Sequence, residues 1–150
     1  MIWSKQQSIF LTKLCIMIFI GGYLAVVFTC PVLMDIFVRS SISAAGKSKW
    51  LFMGTVYACA IPTGILLFQL WRLITDIGLE NIFTNANILR LRLISWMCFA
   101  ISAICLVSMV YYLFWGIITA CFALMGLLIR VIKNTFEQAK EIKEEADYTI

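Results

Sequence analysis

Side chains able to do chemistry are few in this chain and poorly placed for catalysis. There is no histidine, and all six cysteines (Cys15, Cys30, Cys59, Cys98, Cys105 and Cys121) fall inside long apolar stretches. A thiol without a neighbouring base or cation is not activated as a nucleophile, and in apolar surroundings cysteine serves as a small filler. A soft-metal path is not indicated either, because no Cys-x-x-Cys pair and no acidic entry site accompany the thiols. Asp76 and Glu80 stand four apart, the spacing at which a helix could align two carboxylates for acid–base work. A solvated helix face explains them as well. The expectation is no catalytic residue, no metal and no cofactor.

The elements around these residues are defined by where charge is missing. Leu14–Met34, Trp50–Trp71 and Leu93–Ile129 contain no Asp, Glu, Lys or Arg, in a chain that is 63% hydrophobic with mean hydropathy +0.97. Charge in hydrocarbon costs several kcal/mol, and a span needs roughly 20 residues. The third stretch, 37 residues long, would reach about 55 Å as one helix against a core of about 30 Å, so it must fold back. Tyr111–Gly116, aromatic and ending in glycine, is the expected turn. The fold class expected is therefore all-α integral membrane, a four-transmembrane-helix bundle with spans at about 14–34, 50–71, 91–110 and 116–132. One membrane domain covers the chain, with 133–150 as a cytoplasmic helical tail that continues helix four.

Lys and Arg set the orientation. Nine of them (Lys5, Lys13, Arg72, Arg90, Arg92, Arg130, Lys133, Lys140, Lys143) fall on one side and three (Arg39, Lys47, Lys49) on the other. Both termini are expected in the cytoplasm. The first span is too long for a signal peptide and lacks an A-x-A-type cleavage site. The loop Asp35–Lys49 reads as a flexible connector, and Pro62 is expected to kink the second span.

Small residues suggest how the spans pack. Ser95, Cys98, Ser102 and Cys105 form one stripe, and Gly116, Thr119, Ala123, Gly126 and Arg130 another, each at alternating steps of three and four. The two stripes are expected to face each other or a neighbouring helix, with Gly21 and Gly22 offering a further close approach on the first span.

The charged segments carry the remaining signals. Thr84 is placed to cap the third helix and Asn87 half completes a capping box, while Arg90 and Arg92 read as headgroup-level anchors. In the tail, Ile129, Ile132, Phe136, Ala139, Ile142 and Ala146 form an apolar edge. Lys133–Glu137, Lys140–Glu144 and Lys143–Asp147 stand at ion-pair spacing beside it. That edge needs cover from the chain's own middle loop, a second copy or another protein.

Two of these segments resemble a known family. Ile82–Ser95 is similar to the FT-x-x-N-x-x-RLR-x-IS signature of the bacterial domain-of-unknown-function family 2975, and Glu141–Ile150 to its terminal E-(L/I)-K-E-E-N-D-L-T-I. Departures are Ala86 where an acidic residue is common, Ala146 for Asn and Tyr148 for Leu. The resemblance implies a small four-span protein of the bacterial cell membrane. It also implies, by association, a small helix-turn-helix transcription regulator as partner, since relatives are often encoded beside one.

The docking residues expected are Phe83, Arg90 and Arg92 from the loop, with Phe136, Ala139, Ile142, Asp147, Tyr148 and Ile150 from the tail. Membrane lipids and a homo-oligomer are further partners. Direct nucleic-acid binding is not expected, because the tail alternates in charge. The alternative function is a small transporter or channel subunit that oligomerises through the Ser/Cys and Gly/Ala stripes.

Overall fold

The computed structural model describes residues 5–40, 49–78 and 82–149. Among them are four α-helices and no strand: α1 Lys5–Ser40, α2 Lys49–Gly78, α3 Asn85–Ser108 and α4 Trp115–Tyr148. Each is long and apolar enough to cross a membrane. The helices overrun the charge-free stretches because a helix, once nucleated in its apolar centre, propagates until a residue stops it. Thus Asp35–Ser40 forms the end of α1 and Lys49 is the first residue of α2, while residues 41–48 of the expected flexible connector Asp35–Lys49 lie outside the described residues. Asp35 and Lys49 form an ion pair at 3.0 Å.

The helices pack in chain order, α1 on α2, α2 on α3 and α3 on α4, and no backbone approach joins α1 to α4 among the described residues. The most enclosed helix is α3, with 44% of its apolar window buried against 17% or less in the other three. Its partners' outer faces carry exposed Phe10, Phe28, Ile61, Leu124 and Leu127, an apolar surface suited to lipid. The gap between α1 and α4 leaves an apolar cavity of about 580 Å³ edged by Tyr23, Val26, Trp115 and Phe122.

Tyrosines join α1 to α2 in both directions. Tyr23 Oη donates to the Ala60 carbonyl at 3.0 Å, with Gly64 leaving room for the phenol. Tyr57 Oη donates to the Val27 carbonyl at 3.4 Å. Val27 lies four residues before Pro31, the helical proline that cannot supply its amide. A carbonyl left without its helical donor is thereby satisfied from the next helix. In α2, Pro62 is buried and the helix runs through it without a break.

The α3–α4 contact uses the small stripes. Ser95 Oγ donates to the Gly126 carbonyl at 2.9 Å and Ser102 Oγ to the Thr119 carbonyl at 3.0 Å. A side chain at Gly126 would lie within 3.1 Å of Phe99 and 3.3 Å of Cys98 Cβ. Cys105 is buried but points toward Cys59 of α2, 3.9 Å away between sulfurs, so the stripe serves both neighbours. Ala123 is half-buried on α4.

Gly21 and Gly22 take no part in such packing. Both are exposed, and nothing lies within 4 Å of a Cβ built on either. They lie on an open face of α1, beside the Tyr23 that reaches α2.

The fold-back comes slightly earlier than the expected turn, at residues 109–114. Gly116 falls in the first turn of α4, where Met109 Sδ would sit 3.1 Å from an added Cβ. Aromatic rings fix this end. Phe52, 1% exposed, contacts Tyr111, Tyr112 and Phe37 edge-on at 5.0, 5.4 and 5.6 Å. Thr55 Oγ1 bonds both Ser108 and Tyr111.

Candidate functional site at the charged end of the bundle

The opposite end gathers the start of α1, the end of α2, the start of α3 and the overhang of α4. Gly78 of α2 faces Ile9 and Lys13 of α1. Thr84 starts α3 with extended backbone (φ −108°, ψ 152°), and its hydroxyl accepts from the Asn87 amide at 3.3 Å. Asn87 is fully buried. Its amide Nδ2 donates back to the Ile82 carbonyl at 3.1 Å, and its Oδ1 accepts from Arg90 Nη1 at 2.9 Å. The same guanidinium nitrogen pairs with Asp76 Oδ2 of α2. Side-chain exposures of 16% for Arg90 and 31% for Asp76 place this pair between the weak surface and the strong buried regimes. An unbroken polar chain therefore runs from α2 through Arg90 and Asn87 to the loop carbonyl.

The loop so fixed also holds the overhang. Phe83 packs on Phe136 with centroids 5.4 Å apart, and Phe136 lies against the core formed by Leu73, Leu91, Ile94 and Cys98. One turn further, Lys140 Nζ donates to Asn85 Oδ1 at 2.7 Å. Lys133–Glu137 and Lys140–Glu144 close along the helix at 2.7 and 3.1 Å, while no bond joins Lys143 to Asp147 among the described residues. Past Lys140 the cover ends. Residues 141–149 are exposed throughout, with Ile142 at 67% and Tyr148 at 91%.

Residues 16–150 match the profile of a family described as "Protein of unknown function (DUF2975)". The chain belongs to that family. The match includes the whole polar chain and the overhang of this DUF2975 protein, starting one third of the way along α1. No curated protein and no solved structure matches.

The expected docking residues divide into two groups. Phe83, Arg90, Phe136 and, by its half-burial, Ala139 are engaged within the chain. Arg90 is thus a bridge to α2 and not a headgroup anchor, because its α3 face turns toward Asp76. Arg92, two residues and about 200° further round the helix, is exposed beside Arg130 and Lys133 of α4. Ile142, Asp147 and Tyr148 are exposed on the overhang, and Ile150 lies outside the described residues.

Asn85 acts at this site without having been singled out, and Asp76 and Asn87 act in roles other than those read from the sequence. Asp76 pairs with Arg90 where a solvated face was expected, and Glu80 lies outside the described residues. Only Asn87 had a local signal, an amide at the third helical position after Thr84. Among the described residues no cluster of His, Cys, Asp and Glu is arranged to hold a metal ion.

Proposed function

We propose that this protein spans the bacterial cell membrane four times with both termini in the cytoplasm, and docks a small helix-turn-helix regulator on the distal part of α4. The nine-to-three bias of Lys and Arg supports the orientation. The observation that carries the docking reading is the division of the overhang. Its root is clasped by the chain's own loop at Phe136 and Lys140, whereas Ile142 and Tyr148 stand exposed on the same continuous helix. Exposed apolar side chains on a helix held in place lose little entropy on binding. The regulator as partner rests on the habits of the family.

A transporter is the weaker reading. Ser95 and Ser102, the hydroxyls of the Ser/Cys stripe, donate to carbonyls of α4. Catalysis is weaker still, since Asp76 is paired with Arg90 and the thiols have no base.

The test uses the full chain in lipid nanodiscs and the purified regulator encoded beside it. Ile142→Asp, Tyr148→Asp and truncation after Lys140 should each weaken binding about tenfold or more, the scale of an interface hot spot. Binding unchanged by all three would sink the proposal.

A further inference from the structure

On the side of α3 away from Asp76, a polar cavity of about 210 Å³ is lined by Arg92, Ser95, Trp96, Arg130 and Lys133. Arg92 immediately precedes the last charge-free stretch and Arg130 immediately follows it. Because α3 and α4 are antiparallel neighbours, the two guanidinium groups sit at the same boundary of the apolar layer. Neither has a hydrogen-bond or acidic partner among the described residues. The one carboxylate at the rim, Glu137, is bonded to Lys133 at 2.7 Å, and Lys133 also reaches Asn134 Oδ1 at 3.2 Å. Three cations against one anion leave the cavity with unbalanced positive charge, and like charges so placed repel unless an anion joins them.

From this geometry we infer that the cavity binds a phosphate group, carried by an anionic phospholipid. Phosphate oxygens match two arginines and a lysine arriving from different directions. The lipid source is favoured by what adjoins the cations. Trp96, half exposed, stands one turn deeper than Arg92, and Leu127, also half exposed, stands one turn deeper than Arg130. Acyl chains attached to the phosphate would run along these side chains, whereas a free phosphate would gain nothing from them. The site is independent of the regulator reading and rests only on the membrane-spanning one.

Native mass spectrometry of the full chain in detergent, titrated with phosphatidylglycerol or phosphatidylcholine, tests the site. Phosphatidylglycerol should be retained about tenfold better. Arg92→Gln or Arg130→Gln should each reduce its retention about fivefold, and the pair about thirtyfold, as for cations at an anionic surface. Arg72→Gln, removing a cation of the same membrane side that lies over Phe68 instead, should leave retention unchanged. Glu137→Gln should raise retention severalfold by freeing Lys133, a gain that no folding defect can imitate. Equal retention of the two lipids, equal loss in Arg72→Gln, or no gain in Glu137→Gln would overturn the inference. Inorganic phosphate at millimolar strength should fail to displace the lipid; displacement would overturn the lipid assignment.

Discussion

Replacing Gly126 probes most directly how α3 and α4 are held. A methyl group there meets Phe99 Cε1 at 3.1 Å, Phe99 Cζ at 3.2 Å and Cys98 Cβ at 3.3 Å, whereas carbon pairs prefer about 3.5–4.0 Å. Phe99 also packs edge-on against Trp96 at 6.5 Å, so relief takes either its ring out of that contact or the helices apart by a few tenths of an ångström. Overpacking of this kind costs about 1–3 kcal/mol. Separation also stretches the 2.9 Å bond from Ser95 to the Gly126 carbonyl, worth roughly 0.6 kcal/mol between membrane helices. Against this, alanine is preferred over glycine in a helix by up to about 1 kcal/mol. Gly126→Ala should therefore destabilise by about 1–2 kcal/mol, and Gly126→Leu by about 3 kcal/mol or more. Gly21→Ala and Gly22→Ala, with nothing within 4 Å, should be neutral or stabilising by up to about 1 kcal/mol. Reversible unfolding in mixed micelles, followed by far-UV circular dichroism and tryptophan fluorescence, gives the four values. If Gly126→Leu unfolds no more readily than Gly21→Ala, the close crossing of α3 and α4 is wrong.

Three further outcomes are expected. In the same unfolding assay, Asp76→Asn and Arg90→Gln should each cost about 1–2 kcal/mol and the double variant less than their sum, with about 1 kcal/mol of coupling; strict additivity would deny the pair. Phe83→Ala should speed amide exchange across residues 136–140 about tenfold, from losing an aromatic contact worth about 0.5–1.5 kcal/mol plus burial; unchanged exchange would mean the loop does not hold the overhang. Tyr57→Phe should cost roughly 0.6 kcal/mol and nearly nothing when combined with Pro31→Ala, where the restored backbone amide takes the Val27 carbonyl. Equal losses in both backgrounds would separate the tyrosine from the proline.

Exclusion of charge from hydrocarbon acts on each residue separately, so the apolar centres of the four helices are legible in the chain. Helix ends are not, because nothing local stops α1 at Met34 or α2 at Trp71, and both continue to Ser40 and Gly78. Small residues are an ambiguous signal. Gly126 and Gly21 look alike in sequence, yet only Gly126 has a helix against it, and which face a neighbour takes is decided by the whole bundle. The charged end shows the same limit. Arg90 and Arg92 read as a matched pair, but the turn of the helix sends one to Asp76 and the other to Arg130 and Lys133. Asp76 could not be matched to Arg90 by spacing, since they lie on different helices. The apolar edge of the tail was visible from its period; where its cover stops, at Lys140, depends on Asn85 being within reach.

The row-like order of the helices bears on how the protein is made. Among the described residues the helix backbones approach one another only in chain order, and side chains such as Phe136, packed on the cluster that includes Leu73 of α2, add the longer-range contacts. Contacts of short sequence separation form fastest, and domains assemble from the N-terminus during synthesis. A helix that joins the row finds its neighbouring helix already formed. The overhang of α4 follows in the chain the loop that clasps it, so that loop is already made when the overhang emerges.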